Sequence, residues 1–445
     1  MKDRNKMNKE QNNKISRREF MGAAAAAATF TFIPRGVLGG PRYISPSEKL
    51  NVACIGIGGM GASDVGQMST ENIIALCDVD WKHAADTFKR LPDAKKYRDF
   101  RKMLDKEGKN IDAVTVSTPD NTHAVAAMMA IKMGKHVYCQ KPLAHDVFEV
   151  RQLTEAARKY KVMTQMGIQI HAEDTVKLVV EIIKSGMIGK VRKVDIWSNK
   201  DWGGGTRPTE SEPVPETLDW DLWLGPAPWR PYHSTYLPGN WRRWWDFGTG
   251  TLGDMGCHII DPAFWALDLK YPISVEAHPT KFNNETYPQG TAVQWEFPER
   301  GELPAVTVTW YDGVKSPLLP KELEPGRKLP GQGGLYYGEK GTILAPHMGG
   351  PRLIPESKMI GFKAPEPFLG RDVDHYQEWI RACKGGPKPS ANFDYSGPLS
   401  ETILLGNVAA RAGQKLYWDG PNCKITNLPE AEKYLEREYR EGWRL

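Results

Sequence analysis

The sequence predicts an α/β protein in which a doubly wound parallel sheet is followed by an α+β domain with a large, mainly antiparallel open sheet. The chain has 445 residues, which is too long for a single hydrophobic core. Short apolar segments alternate with helix-compatible segments between residues 51 and 167, as they do in parallel sheets. Beyond residue 190, β-branched residues and period-two alternation indicate an antiparallel sheet.

The first apolar segment, Asn51–Ile57, leads into a glycine-rich loop with G-x-G-x-x-G spacing. Asp78 ends the second segment, where a carboxylate accepts hydrogen bonds from a ribose and repels a 2′-phosphate. A lone glycine motif is most often an ordinary loop, but here strand, glycines, helix, strand and acid follow in register. We therefore predict a Rossmann domain over residues 47–170 that binds NAD. Cofactor contacts in this loop are expected at Gly56, Gly58, Gly59, Met60 and Gly61, with Gly58 letting the backbone approach the pyrophosphate.

Three further strands are predicted, at Ile111–Pro119, His136–Leu143 and Lys161–Gly167. Helices are expected between them, at Asn121–Met133 and Val147–Tyr160. Parallel strands end at one edge of the sheet, where ligands bind. Any one polar residue there could be a solvated loop residue, but several together predict a cleft. The predicted cofactor contacts at this edge are Ser117, Thr118, Asn121, His123, Lys141 and Gln169.

The second domain is predicted over residues 171–445. Its expected strands are Val191–Trp202, Thr291–Glu299 and Ala305–Gly313, with a hairpin in GLYYGEKGTILAP. Amphipathic helices are expected at Asp372–Gly386 and Ser400–Gly413. Residues 311–334 and 346–370 are rich in Pro, Gly and Lys, so we expect long surface loops that serve as lids or subunit contacts.

The amino-terminal residues 1–46 are predicted to be an export signal and linker. An arginine pair in SRREF precedes a short, weakly apolar run from Met21 to Ile33, which resembles a twin-arginine export signal. The run is too short for a stable membrane span, and the expected location is the periplasm. An alanine-rich helix belonging to the fold is the alternative. Twin-arginine export carries folded proteins, which suits a protein that must load its cofactor in the cytoplasm.

The composition excludes some classes of function. A net charge of +5 scattered along the chain gives no argument for nucleic-acid binding. The six cysteines show no C-x-x-C spacing, so no metal site is predicted. Tryptophan is unusually frequent, and one cluster is either a satellite core or the wall of a sugar-binding cleft. That cluster comprises Trp220, Trp223, Trp229, Trp241, Trp244 and Trp245.

Several motifs together resemble one family. GIGGMG, STPDNTHA and CQKPL, followed by LDWDLWLGPAP, WWDFGTGTLGDMGCHIIDP and NFDYSGPLSETILLGN, resemble the Gfo/Idh/MocA oxidoreductases, particularly exported members. The resemblance covers nearly the whole chain from Glu48. It implies a homo-oligomer, a dimer or tetramer, that uses the free face of the second sheet. The family's Glu-Lys-Pro signature here reads Gln140-Lys141-Pro142, which keeps the lysine that points at the nicotinamide and replaces the glutamate.

The resemblance also implies catalytic roles for Asp254 and His258, which match the family's D-x-x-x-H spacing. In a helix these residues share one face. We predict that His258 is the base, that Asp254 orients it or binds substrate, and that Lys141 is the electrophilic partner, because an imidazole with a pKa of roughly 6.5 suits proton transfer near neutral pH. One alternative is a capping aspartate with a core histidine. A metal site is the other, and it lacks a third ligand.

The predicted activity is an NAD-dependent oxidation or reduction of a sugar or glycoside hydroxyl, with C3 as the candidate carbon and a tightly held, recycled cofactor. Aromatic rings stack on pyranoses, and Arg or His binds hydroxyls. One alternative is a redox-assisted glycosidase, although that branch of the family carries a Tyr-Pro-Thr-His-like stretch where this chain has DMGCH. The other is a catalytically silent NAD-binding protein. The predicted substrate contacts are His171, Trp202, His233, Arg242 and Trp245.

Overall fold

A six-stranded parallel sheet occupies the amino-terminal part of the molecule, with the strand order β3-β2-β1-β4-β5-β6. The structure, a computed structural model, describes residues 48–371 and 374–445. The predicted export signal and linker, residues 1–46, lie outside the described residues. The strands are β1 (Asn51–Ile55), β2 (Asn72–Cys77), β3 (Lys95–Tyr97), β4 (Ala113–Val116), β5 (His136–Gln140) and β6 (Thr164–Gly167).

Helices connect these strands, as the alternation predicts. They are α1 (Met60–Gln67), α2 (Ala85–Arg90), α3 (Phe100–Glu107), α4 (Asp120–Lys132) and α5 (Val147–Tyr160). The start of α5 is fixed by Asp146, whose side chain accepts a hydrogen bond from the Glu149 amide. The order of the strands reverses between β1 and β4, and the crevice at that reversal is where ligands of such sheets bind.

A nine-stranded sheet follows, in the order β13-β12-β11-β7-β10-β9-β8-β14-β15. Only the β7–β10 pair is parallel, so the predicted mainly antiparallel sheet is confirmed. Its strands are β7 (Val191–Ser198), β8 (Ser274–Pro279), β9 (Thr291–Phe297), β10 (Val306–Asp312), β11 (Gln332–Gly338), β12 (Thr342–Pro346), β13 (Arg352–Ile354), β14 (Leu416–Asp419) and β15 (Lys424–Ile425).

Helices cover one face of this sheet. In β9, alternate residues such as Val293 and Trp295 are buried beneath them. One hydrophobic core joins Val114 of the first sheet, Trp295 of the second and Leu404 of the last helix. The helices are α6 (Asp174–Lys184), α7 (Trp220–Leu224), α8 (Gly250–Ile259), α9 (Asp261–Ala266), α10 (His375–Cys383) and α11 (Phe393–Ala412).

Both sheets fall within one contact unit, Leu50–Leu445, so the domain boundary near residue 170 stays a prediction. No helix in residues 48–371 and 374–445 has the length and apolarity that a membrane crossing requires.

Two sequence predictions need correction, and one strand was missed. The helix expected at Ser400–Gly413 begins at Phe393, because Asn392 caps it and Pro398 is accommodated inside. The loop expected at residues 346–370 contains strand β13, which pairs with β12, and a short 3-10 helix. The edge strand β3 was not predicted, because its three residues include two exposed lysines.

The tryptophan-rich segment forms a satellite core. Four of its tryptophans pack with Tyr236 and Phe247, and the rings of Trp220 and Trp223 stack with their centroids 4.8 Å apart. Trp229 is instead largely exposed. Of the two interpretations that the sequence left open, the core therefore accounts for most of this cluster.

Candidate active site

The glycine-rich loop between β1 and α1 is shaped by close backbone contacts. Gly56 has a φ of 74°, and a Cβ there would lie 2.7 Å from the carbonyl group of Ser117. A Cβ on Gly61 would lie 1.9 Å from the carbonyl oxygen of Gly56. These two positions therefore require glycine, and the loop can pass tightly from the strand into the helix.

The amino terminus of α1 is suited to bind a phosphate. Gly59 is its N-cap residue and supplies no side-chain cap, and the first turn contains no acid. Met60, the first helical residue, is exposed. The free amides and the positive end of the helix dipole fit the pyrophosphate of a dinucleotide.

Asp78 holds the glycine-rich loop in place. Its Oδ2 accepts hydrogen bonds from the amides of Ile57, at 2.8 Å, and Gly58, at 3.2 Å, while Oδ1 accepts one from Asp80. Burial raises the pKa of this carboxyl, and the hydrogen bonds from Asp80 and Ile57 oppose that rise. An ionised carboxylate has about four acceptor positions, so one remains for a ribose hydroxyl.

Lys141 and Asp254 meet where the end of a first-sheet strand contacts a helix that covers the second sheet. Lys141 follows β5, and Asp254 lies in α8. The ammonium of Lys141 donates hydrogen bonds to the Asp254 Oδ1, at 2.7 Å, and to its main-chain oxygen, at 2.6 Å. Both side chains are largely buried, so the pair interacts where water screens it weakly.

Asp254 has three further donors. The Nε of Arg242 lies 3.0 Å from Oδ1, the indole nitrogen of Trp202 lies 2.9 Å from Oδ2, and Lys200 lies 3.5 Å from Oδ2. Burial alone would raise the pKa of this carboxyl, but the charges of Lys141 and Arg242 hold that pKa far below its usual range. Asp254 is therefore a permanent anion and cannot serve as the proton carrier of the site.

His258 lies one turn after Asp254 in the same helix. Burial lowers its pKa well below the usual value, and the charge of Lys141 lowers it further. Its Nδ1 is buried without a hydrogen-bond partner, although the side chain as a whole is only half-buried. A neutral imidazole keeps one ring nitrogen with a free lone pair, so His258 can accept a proton in this site.

Two family models match the chain. The oxidoreductase-family NAD-binding Rossmann fold matches residues 50–168, and the oxidoreductase-family C-terminal alpha/beta domain matches residues 172–300. The chain belongs to the Gfo/Idh/MocA oxidoreductase family. Its first sheet is therefore an NAD-binding Rossmann domain, as the sequence predicts.

Two curated relatives are each about a quarter identical to this chain over the aligned residues. Myo-inositol 2-dehydrogenase of Thermotoga maritima is 26% identical over 38% of this chain and 48% of its own length. Levoglucosan dehydrogenase of Pseudarthrobacter phenanthrenivorans is 24% identical over 48% of this chain and 50% of its own length. The chain thus spans about half the length of these two relatives.

A solved structure has a similar fold. The WlbA dehydrogenase from Bordetella pertussis, in complex with NADH and UDP-GlcNAcA, aligns with a TM-score of 0.59. The alignment covers 83% of this chain and 99% of that chain, at 18% sequence identity. A likeness of this kind shows the fold.

Gln140 stands where the Gfo/Idh/MocA lysine signature has a glutamate. A carboxylate from helix α1, that of Asp64, lies beside it. The amide of Gln140 donates to both carboxylate oxygens of Asp64 in α1, at 3.0 and 3.2 Å, and Ser117 donates to Asp64 at 2.7 Å. Tyr376 also donates to it, at 2.8 Å. Burial raises the pKa of Asp64, and its three side-chain donors oppose the rise. A carboxylate thus remains beside the signature, supplied by the dinucleotide-loop helix.

Other predicted cofactor contacts have partners within the protein. The ring of His123 lies between the carbonyl oxygens of Pro142, at 2.9 Å, and Thr118, at 2.8 Å. Asn121 donates to the Leu224 carbonyl at 2.9 Å. His123 and Asn121 are buried, so this geometry gives their predicted cofactor contact no support. Instead, His123 connects the ends of strands β4 and β5.

Gln169 and Thr118 are half-buried at the edge of the Rossmann sheet. The Gln169 amide donates to the hydroxyls of Tyr138 and Tyr376, each at 3.1 Å. Thr118 donates only to the carbonyl of the next residue, at 3.2 Å. Their roles toward the cofactor stay predictions.

The predicted substrate contacts divide into two groups. Trp202 and Arg242 lie at Asp254, with the Arg242 guanidinium 5.5 Å from the Trp202 ring centroid. His171 is buried elsewhere, where its Nδ1 lies 2.9 Å from Asp261 and its ring stacks on Trp265. The geometry therefore supports a place in the site for Trp202 and Arg242, and gives His171 a partner in the core.

His233 and Trp245 likewise lie away from the Lys141–Asp254 pair. His233 caps a short 3-10 helix, and its ring is 3.3 Å from Glu212. Trp245 is buried against Tyr287, with ring centroids 3.6 Å apart. A substrate contact from either residue has no support in this geometry.

Sequence reasoning missed three residues near this site: Asp64, Lys200 and His347. The His347 ring centroid lies 6.0 Å from that of His258. Lys200 and His347 each follow a strand of the second sheet, β7 and β12, and that position is the signal that could have identified them. Within the described ranges 48–371 and 374–445, no group of three His, Cys, Asp or Glu side chains could hold a metal ion.

Proposed function

We propose that this chain is an NAD-dependent oxidoreductase that interconverts a secondary hydroxyl and a ketone on a sugar or glycoside, with C3 as the candidate carbon. One observation carries the proposal: a lysine at the carboxyl edge of the NAD-binding sheet contacts an aspartate that lies one helical turn from a neutral histidine. The relatives named inositol and levoglucosan dehydrogenases support a ring-shaped polyol or sugar as substrate.

The loop of Gly56 and Gly61, the start of α1 and Asp78 would hold the dinucleotide. Bound NAD supplies the hydride acceptor. His258 accepts the hydroxyl proton, because burial and then the charge of Lys141 lower its pKa and keep the ring neutral, with one nitrogen free to take a proton. The Lys141 ammonium donates a hydrogen bond to the substrate oxygen and stabilises the negative charge that develops there.

Asp254 and its neighbours position these groups. Its carboxylate keeps the Lys141 ammonium charged and directed, and it shares the charges of Arg242 and Lys200. Trp202 donates its indole N–H to Asp254, which fixes the plane of a ring on which a pyranose face can stack. The arrangement suits a substrate with one apolar face and several hydroxyls.

We also propose that the cofactor stays bound and is recycled, and that the protein acts in the periplasm. The arginine pair and short apolar run near the amino terminus support export, and free NAD is scarce outside the cytoplasm. Oxidation of one sugar would then be balanced by reduction of another. Exposed apolar side chains on the loops after β10 and β13 support a homo-oligomer: Val314, Leu318, Leu319 and Ile360.

Product analysis tests this function. The purified protein is incubated with a panel of glycosides that carry a chromogenic aglycone, and the products are separated by mass. We expect a product two hydrogens lighter than the glycoside, with the aglycone still attached. Release of the aglycone would instead support the redox-assisted glycosidase, and absence of any product would support a silent NAD-binding protein.

A further inference from the structure

A second histidine lies beside the candidate base. His347 directly follows strand β12, and its main-chain N–H donates to the Gln332 carbonyl at 3.0 Å, which fixes the start of its loop. The ring centroids of His258 and His347 are 6.0 Å apart, with the rings inclined by 45°. In both rings Nδ1 is buried and lacks a hydrogen-bond partner. Two such nitrogens at this separation are unusual, because buried polar atoms are nearly always paired.

A cavity connects the two imidazoles. Its volume is about 20 Å³, it lies between helices α6 and α8 and strands β11 and β12, and both histidines line it. Its other walls are mostly apolar, and Thr175 and Tyr336 also line it. A water needs a few polar partners, and the two histidines, Thr175 and Tyr336 are the lining residues whose side chains carry polar groups. The cavity thus has the composition of a site for a bridging water.

We propose that His347 is the second member of a proton relay that serves His258. Nε2 of His258 takes the proton from the substrate hydroxyl, and Nδ1 of His258 releases its own proton through the cavity water to Nδ1 of His347. His347 then passes a proton to solvent beside the exposed Met348. This inference rests on the proposed function, since it needs a hydroxyl proton to carry.

The relay balances atoms and charge. The substrate carbon loses a hydride to the nicotinamide and the substrate oxygen loses a proton, so a ketone forms. His258 gains one proton at Nε2 and loses one at Nδ1, so it stays neutral but exchanges its tautomer. Reduction of a second sugar runs the same transfers backwards and restores the first tautomer. A recycled cofactor and a reversible relay are therefore compatible.

The charged groups around His258 and His347 favour release of a proton from these rings over its retention. Lys141, Lys200 and His347 each disfavour charge on His258, and Asp254 is the group that opposes them. Lys200 also disfavours charge on His347, after burial, which is the larger cause. The pKa of each imidazole is lowered, so a proton that arrives on either ring is readily given up.

The variant His347→Ala tests the relay, with Met348→Ala as control for the loop and His278→Ala as control for an exposed histidine. We expect His347→Ala to lower kcat about 10- to 100-fold, to raise the solvent deuterium isotope effect and to leave KM within about twofold. Added imidazole should restore part of the rate. Neither control should change these values.

Nuclear magnetic resonance of histidine-labelled protein without substrate gives an independent readout. We expect His347→Ala to change the tautomer balance of His258, because its Nδ1 loses the water-bridged acceptor. Unchanged His258 resonances, or a normal kcat and isotope effect in His347→Ala, would overturn the relay. Failure of the proposed function is distinct, because it appears as wild-type protein that forms no ketone.

Discussion

The ammonium nitrogen of Lys141 lies 2.7 Å from a carboxylate oxygen of Asp254, although 113 residues separate them in the chain. This contact joins the end of a Rossmann strand to a helix on the second sheet. In the proposed reaction it supplies a cation for the negative charge that develops on the substrate oxygen as the hydroxyl proton is removed. The charge of Lys141 keeps Asp254 ionised against the effect of burial, and it adds to burial, the larger cause, in lowering the pKa of His258.

Replacement of this lysine should abolish most activity and preserve the fold. We expect Lys141→Met to lower kcat roughly 10²- to 10⁴-fold, because the developing charge loses its donor. Asp254 keeps Arg242, Trp202 and Lys200 as partners, so the protein should still fold and bind NAD. Steady-state kinetics and dinucleotide titration measure both effects.

Lys184→Met is the matched control for the lysine prediction. Lys184 also contacts an aspartate at short distance, 2.6 Å from Asp268, but that pair is much more exposed. Exposed pairs contribute about 0–1 kcal/mol, so activity and stability should hardly change. Equal loss of activity in both variants would show that Lys141 has no specific role in catalysis.

Alanine substitutions at two glycines of helix α1, Gly61 and Gly66, should have different effects on NAD affinity. Gly61→Ala places a Cβ 1.9 Å from the Gly56 carbonyl oxygen, so the loop must shift and NAD affinity should fall at least about tenfold. Gly66→Ala has no atom within 4 Å of the new Cβ. It should leave NAD affinity unchanged and stabilise the protein by about 0.5–1 kcal/mol. Calorimetric titration and thermal unfolding separate the two, and similar NAD affinities would contradict the loop geometry.

Replacement of Gln140 by the family's glutamate should destabilise the protein unless Asp64 is changed as well. Gln140→Glu would place a second carboxylate about 3.0 Å from Asp64 in a buried site, at a cost of roughly 3 kcal/mol near neutral pH. The double variant Asp64→Asn/Gln140→Glu should recover much of that loss, because one charge remains. Denaturant unfolding of the full double-mutant cycle measures the coupling. Additive effects would show that the two side chains do not share one carboxylate position.

Asp312 should give the protein a pH-dependent stability. Burial raises the pKa of this carboxyl to about 7, against the hydrogen bonds from Trp310 and Thr291. Between an unfolded pKa of roughly 3.9 and about 7, the folded state holds a proton that the unfolded state lacks. The free energy of unfolding should therefore fall as pH rises through this window, by up to about 4 kcal/mol.

Asp312→Asn should remove this dependence, while Asp93→Asn, at an exposed position, should not. Urea unfolding at several values between pH 4 and pH 8 compares the slopes. A variant that keeps the wild-type slope would exclude Asp312 as its source.

Local patterns predicted much of the fold. Helix α5 occupies its predicted residues, Val147–Tyr160, because its capping aspartate and apolar spacing are local signals. The start of α11 was misplaced because Pro398 suggests a helix break, whereas the structure accommodates it six residues into the helix. Strand β3 depends on pairing with β2, and its own residues carry no apolar pattern.

The candidate site was only partly predictable. The spacing of Asp254 and His258 is visible in the chain, and the helix places them one turn apart. The approach of Arg242, Lys200 and His347 depends on loops whose course is set by tertiary packing. Residues His233 and Trp245 had suitable chemistry for a sugar site, but their neighbours bind them elsewhere.

We propose that Lys141, Asp254 and His258 assist the oxidation of a sugar hydroxyl by a nicotinamide held at the first sheet. A single turnover tests it most directly: NAD-loaded protein is mixed with glycoside, and the near-ultraviolet absorbance of reduced nicotinamide is followed. Our account predicts about one reduced nicotinamide per protein molecule for the wild type, and a rate lower by about 10²-fold or more for His258→Ala. Reduction at the wild-type rate in His258→Ala, or none with any glycoside in the wild type, would contradict the account.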